Sequence, residues 1–318
     1  MKNERFLPEG YTPLSALPLP LSAVEELMEE GAVAEGMVLR CDARHDLHVT
    51  FRGYEGLIPR EEAVLPELSG SDREIAVLSR VGHSAAFVIT GIDIDGGGRP
   101  RLRLSRRRAQ ALALDHLLTH CPVGTVVRGR VTHLARFGAF VDIGCGVVAL
   151  LPLEHISVAR ISHPGLRFTV GQNILTAVKQ VDTTAKRFTL THKELLGTWL
   201  ENAAQFAPGE TVTGFVRGIK DYGVFVELTP NLSGLAETRE DLRENDAVSV
   251  FIKSIRPDQQ KIKLQIIQRT EQRPQPLHYY ITGGAIDDPW QYAPPSPPAG
   301  DSQDAGPLAP QFPDITPP

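Results

Sequence analysis

The sequence predicts a mainly β protein of three small barrels in tandem, about five strands each, joined by short helices and followed by a disordered proline-rich C-terminal tail. Three observations lead there. The chain repeats itself: "GTVVRGRVTHLARFGAFVDI" at 124–143 recurs as "GETVTGFVRGIKDYGVFVEL" at 209–228, at a constant offset of 85 residues. Glycines and turn residues cut each copy into short alternating or β-branched runs, the pattern of a small barrel. Between copies the apolar spacing changes to that of a helix.

Taken in order, residues 1–31 form an extension, proline-interrupted at first and then a short capped helix in "SAVEELMEEG". Residues 32–105 read as a degenerate first copy, with His45 and His48 where the other copies carry aromatics. Its opening strand, "GMVLRCDA", aligns only with a slip of about one residue, and "DIDGGGRPR" reads as a hairpin turn because no phosphate-loop Lys-Ser or Lys-Thr follows it. A connecting helix spans 106–120, the second barrel 121–193, another connecting helix 194–207 and the third barrel 208–268. "PVG" and "APG" stop the two helices. The tail, 269–318, is expected to be mostly disordered, with the last 25 residues or so disordered or in a polyproline conformation. Tyr279, Tyr280, Trp290 and Tyr292 read as residues that pack as an extended segment on the third copy, with a partner motif as the other possibility.

Composition narrows the function. The chain has 318 residues, 42% of them hydrophobic, enough for two or three ordinary domains. Net charge is −5, so any nucleic-acid surface must be local. Cys41, Cys121 and Cys145 are isolated, which argues against disulfides and structural zinc and fits a reducing, cytoplasmic setting. The N-terminus lacks a signal-peptide apolar core, and no apolar run approaches the roughly 18 residues that span a bilayer. The groups His116/His120/Cys121 and Cys41/His45/His48 each lack a fourth ligand, so neither metal nor cofactor is expected.

Strand alternation places Val127, Val131, Ala139, Val141 and Ile143 inside the second barrel and Arg128, Arg130, Phe140 and Asp142 outside. Phe137, beside Gly138, can lie close to Phe140. Two aromatics edged by guanidinium groups suit a single-stranded nucleic acid, whose bases stack on rings while its phosphates meet cations.

At these residues the chain resembles the S1 RNA-binding domain. "VGTVVRGRVTHLARFGAFVDI", the turn into "LLPLEHIS" and "VGQNILTAVKQVDTTAKRFTLTHKE" carry the resemblance. It implies five-stranded OB-fold barrels and places the RNA-facing positions at Phe137, Phe140, Asp182 and Arg187 in the second copy. In the third copy they fall on Tyr222, Phe225, Arg256 and Lys261, with Phe215 where the second has Arg130. The first offers His45, His48, Asp93 and Arg101 or Arg103. Pro152 and Glu237 stand where the family usually has histidine. Lys186 joins Arg128, Arg130 and Arg187 as an expected phosphate contact.

Residues 121–197 hold nine Lys and Arg against four Asp and Glu, whereas residues 208–270 hold nine against nine, which favours the second barrel as the main site. Six arginines in "RPRLRLSRRR" (99–108) either extend its phosphate track or form a solvated helix face. The resemblance further implies a non-enzymatic protein binding single-stranded RNA, namely mRNA at the small ribosomal subunit, with no membrane and no small-molecule substrate. Two alternatives stay open: a module docking a ribosomal or polymerase protein, and an accessory factor in RNA processing.

Overall fold

A computed structural model describes residues 6–68, 73–271, 277–287 and 290–292. Its strands close into three barrels. The first comprises β1 (Val33–Cys41), β2 (Leu47–Phe51), β3 (Tyr54–Ile58), β4 (Ser84–Ile94) and β5 (Pro100–Ser105). The second comprises β6 (Val126–Ala135), β7 (Gly138–Asp142), β8 (Val148–Pro152), β9 (Asn173–Asp182) and β10 (Arg187–Thr191). The third comprises β11 (Thr211–Lys220), β12 (Gly223–Thr229), β13 (Leu232–Ala236), β14 (Ala247–Arg256) and β15 (Lys261–Arg269). In each, the first strand pairs with both the second and the fourth, and the third pairs in parallel with the fifth. Valines and leucines at alternate positions fill the interiors: Val127, Val131, Ala139, Val141, Leu151, Val178 and Leu190 are all buried in the second. A slip of one residue would turn this set to water, so burial fixes the register.

The pairing registers align all three copies residue by residue. A bulge interrupts each first hairpin at the same point: Val38 pairs with Val49 but Arg40 with His48, Val131 with Val141 but His133 with Phe140, Val216 with Val226 but Gly218 with Phe225. The slip in the first copy has a local cause. Cys41 pairs with Leu47 where Leu134 pairs with Ala139, so five residues cross that turn in place of four.

The helices are α1 (Leu21–Glu29), α2 (Arg73–Leu78), α3 (Arg106–His120) and α4 (Trp199–Ala203). Pro20 stands at the N-cap of α1 without a side-chain cap, unlike the capped start read from the sequence. Ser105 caps α3 by accepting from the Arg108 N–H, and Ala109, Ala113, Leu114 and Leu117 bury its inner side. The second connection is shorter than a helix over 194–207. A 3-10 turn at Lys193–Leu196 stops at Gly197 (φ +80°), and α4 begins afresh from a Thr198–Glu201 capping box. The Tyr280 ring lies where a Gly197 Cβ would be, 2.5 Å away, so glycine is required there.

Between the barrels, both joints use the same element. Asp142, ending β7, accepts from the N–H groups of Glu9 (2.8 Å), Gly144 and Gly146. Glu9 belongs to the N-terminal arm, whose Phe6 is buried with Ala86, Val88 and α3 against the second barrel. Its carboxylate takes two hydrogen bonds from Arg106 (2.7 and 2.8 Å), one from Arg80 (3.2 Å) and one from the Ala86 N–H (3.0 Å). Burial would raise its pKa, but the Arg106 charge and hydrogen bonds bring it below the usual carboxylate range. Arg106 is therefore a structural residue and adds nothing to a phosphate track, and Arg107 is paired to Glu62.

At the second joint, Glu227 occupies the register position of Asp142 and binds Arg167 of the second barrel and Arg217 of its own, all three side chains nearly solvent-free. Asn231, fully buried, accepts from the Val158 N–H and donates to the Lys193 and Gly197 carbonyls.

The described tail crosses this joint. Its aromatics do pack, but on the second barrel and the joint as well as the third. Thr125 bridges to Ala285, and Tyr279, Ile281 and Ile286 cover Ala177 and Leu195. Tyr292 packs against the third core and donates to the Asn231 carbonyl. Most of the expected disordered stretch, residues 293–318, lies outside the described residues.

Under the tail, His192 is fully buried between the Ile156 carbonyl (2.8 Å) and the Tyr279 hydroxyl (3.1 Å). Burial pulls its pKa down to about 4.

Two predictions follow from these contacts. Glu227→Ala strands two buried guanidinium groups and should lower stability by about 3–5 kcal/mol. The readout is the denaturation midpoint by tryptophan fluorescence, since Trp199 is buried against the third barrel. An unchanged midpoint would remove this cluster from the joint's support. The second concerns pH. Unfolded His192 titrates near 6.5, above its folded value, so stability should fall as pH drops from about 6.5 and level off near 4, by roughly 3 kcal/mol. His192→Gln should flatten that segment of the stability profile.

Candidate nucleic-acid interface

The second barrel brings Phe137 and Phe140 together edge to face, ring centroids 5.9 Å apart and planes at 86°. Tyr222 and Phe225 repeat this on the third barrel at 6.1 Å and 90°. In both pairs the turn ring is open to solvent, 60% exposed for Phe137 and 70% for Tyr222, and the strand ring is half-buried. Single exposed apolar side chains are ordinary, but here the same two-ring geometry occurs twice at equivalent positions.

The glycine between the rings is set by the fold. A Cβ on Gly138 would stand 2.4 Å from the Leu151 carbonyl oxygen, because β7 and β8 converge there, and Gly223 meets the Ala236 carbonyl in the same way at 2.7 Å. Close strand approach thus holds the turn and splays the first ring outward.

At the far hairpin of each barrel the registers pair Asp182 with Arg187, Arg256 with Lys261, and Asp93 with Arg101. In the last, Arg101 and not Arg103 stands at the register position of Arg187. Arg187, Arg256 and Lys261 are exposed; Asp182 turns back to accept from the Ala185 N–H. Lys186 adopts φ +50° and pairs with Glu67 of the first barrel (3.0 Å), an exposed and therefore weak contact.

Four residues expected on the outer face lie elsewhere. Arg128 and Arg130 stand on the half of β6 that pairs with β9, facing the N-terminal arm: Arg128 lies over the Tyr11 ring and Arg130 donates to Asn173 (2.8 Å). Asp142, outside the barrel as alternation requires, is buried in the joint. Phe215 is half-buried beneath the Arg217 guanidinium, 4.9 Å from its ring centroid, next to Glu227. The four-residue patch expected on the second barrel is therefore divided between two surfaces.

Residues that the sequence does not single out also lie at these surfaces. The bulge sets His133 beside Phe140, centroids 5.9 Å apart, which simple alternation from Val131 does not foresee. Arg136 is exposed next to Phe137. On the third barrel Lys220 and Lys263 are exposed, and Lys263 pairs with Leu235, the neighbour of Phe225. Several acids of that copy are committed to ion pairs or to the joint: Glu227, Glu237, Asp241 and Asp246.

The first barrel lacks the pair. His48 occupies the Phe140 position but binds Asp42 (3.0 Å) and lies beside Arg40 and Arg101. Among the described residues no group of His, Cys, Asp and Glu could hold a metal ion, and no helix is long and apolar enough to cross a membrane.

Residues 121–193 match the S1 RNA binding domain family. Small ribosomal subunit protein bS1 of Leuconostoc lactis is 35% identical over 200 residues, covering 58% of this chain and 46% of that protein. The bS1 homolog of Bacillus subtilis is 29% identical over 206 residues, covering 60% and 53%. A solved multidomain protein with nucleic acid binding domains from Streptococcus pneumoniae covers 76% of this chain and 75% of its own at 16% identity, with a TM-score of 0.26. The chain resembles bS1 as a protein of tandem S1-type barrels and spans about half the length of these two relatives.

Gly138→Ala is expected to push β7 from β8 and cost about 1–3 kcal/mol, measured by denaturant unfolding. Wild-type stability in this variant would show that the strands part freely.

Proposed function

We propose that the chain binds single-stranded RNA through its second and third barrels, without catalysing a reaction, and that the strand is mRNA held at the small ribosomal subunit in the cytoplasm. The duplicated edge-to-face pair carries this reading. Two barrels of one fold present the same two rings at the same spacing, with the outer ring largely uncovered. A base can lie on Phe137 or Tyr222 while Phe140 or Phe225 supports it edge-on, each stacked base contributing about 1–3 kcal/mol.

Arg136 and Arg187 on the second barrel, and Lys220, Arg256, Lys261 and Lys263 on the third, are placed to meet phosphates. Lys186 joins once its exposed contact with Glu67 yields. Arg128 and Arg130 contribute only if the arm lifts, and Phe215 stays covered by Arg217. The barrels thus carry comparable sites. Two weak sites on one strand bind about 10²-fold or more tighter than either alone when the strand spans them. The similarity to bS1 supports the ribosomal setting.

Phe140→Ala and Phe225→Ala should each weaken binding of a short unstructured RNA about 5- to 100-fold, with a salt slope near −0.7 for each phosphate neutralised. Fluorescence anisotropy measures both. Unaltered affinity in both variants, with circular dichroism unchanged, would overturn the stacking mechanism. Cosedimentation with small subunits before and after RNase treatment tests the setting, which requires loss after treatment.

A further inference from the structure

We propose that the first barrel holds a phosphate group in the position where the other two barrels carry their aromatic pair. The registers fix the correspondence: Arg40 and His48 stand opposite each other as His133 and Phe140 do, and Arg101 stands where Arg187 does. The slot keeps its place on the barrel and changes its chemistry from ring faces to hydrogen-bond donors.

Counting donors and lone pairs shows what is left over. Asp42 takes the His48 Nε2 proton at 3.0 Å, and this hydrogen bond brings the Asp42 pKa down to about 2. Nδ1 is left with a single in-plane lone pair. Two guanidinium groups converge on it, Arg40 Nη2 at 3.2 Å and Arg101 Nη2 at 3.4 Å. One lone pair cannot satisfy both. Arg101 Nε is also buried without a partner among the described residues, an unspent donor of a kind proteins normally avoid.

The nearby acids do not resolve the surplus. Asp42 is committed to His48 and to the N–H groups of its own turn, and Asp93 to Arg103 at 3.1 Å. Glu55, opposite Arg101 on β3, is exposed. His45 and Arg60 both face Glu74. A phosphate brings several lone pairs to one point and matches a guanidinium fork in two-pronged fashion. Arg40 is exposed, so the approach is open.

The source of the phosphate is either the backbone of a strand held by the neighbouring barrels or a free phosphate. Only the first source rests on the RNA reading. In both cases the contact is indifferent to base identity, because hydrogen bonds to a phosphate carry no base information.

The test uses the full chain and two probes: inorganic phosphate, and a base-free sugar-phosphate oligomer, which cannot stack. Arg40→Ala with Arg101→Ala should weaken oligomer binding about 10-fold. Removing the same charge elsewhere in this barrel, with Arg44→Ala and Arg99→Ala, should change it less than about 2-fold on the screening argument for exposed charges. The His48 imidazole NMR signals should shift as either probe is added to the wild type. A shift with inorganic phosphate as well as the oligomer identifies a free phosphate as sufficient; a shift with the oligomer alone identifies the strand.

Equal losses in the two double variants, or no loss in either, would overturn the proposal. Should the first double variant unfold, Arg40→Gln carries the same test, since Arg40 is exposed on β1. The readings fail separately. RNA binding that depends on Phe140, with oligomer affinity indifferent to Arg40 and Arg101, refutes only the phosphate site. A chain that binds neither RNA nor oligomer refutes the RNA reading, while the phosphate titration still decides this one.

Discussion

A carboxylate in the second half of each later barrel's second strand, Asp142 or Glu227, is buried against the preceding unit, and the joining of the barrels depends on it. Asp142 acts through the arm, fixing the Glu9 backbone while the Glu9 side chain grips Arg106 and Arg80. Glu227 acts directly, between Arg167 and Arg217. Both carboxyl groups are removed from water, a loss that only good geometry offsets, and burial together with the Glu9 charge raises the Asp142 pKa to about 7. The acids are accordingly ringed by donors, three backbone N–H groups on one and two guanidinium groups on the other.

The same short strand serves two surfaces. Gly138–Asp142 rises about 13 Å at the usual spacing of extended residues. One end presents the aromatic pair and the other enters the joint. Arg128 and Arg130 belong to the joint for the same reason: β6 turns at its bulge, and its first half runs along β9 and the arm. The tail completes the assembly, with Tyr279 closing over His192 and Tyr292 reaching Asn231.

How much of this the sequence discloses follows from the range of each interaction. The repeat, the five-strand units and the outward setting of Phe137 and Phe140 are local, carried by period and glycine position. Alternation tells whether a side chain lies inside a barrel or outside it, but not what lies beyond, so Asp142 and Arg130 read as exposed although an arm more than a hundred residues away covers them. His133 is hidden by a bulge, which breaks the period that parity reasoning uses. The position of Tyr279 against His192 is an encounter across 87 residues with no periodic signal at all. In the first copy, one added turn residue obscures an alignment that hydrogen-bond pairing restores.

The repeated acid also gives the array a direction. Each later barrel carries its attachment in its own second hairpin and receives the next one elsewhere, so the units relate head to tail and their two ends are not interchangeable. Thr50 holds the corresponding place in the first barrel, a hydroxyl in the series where the others have a carboxylate. If a strand lies along the array as proposed, it would meet a sequence of unlike stations in a fixed order.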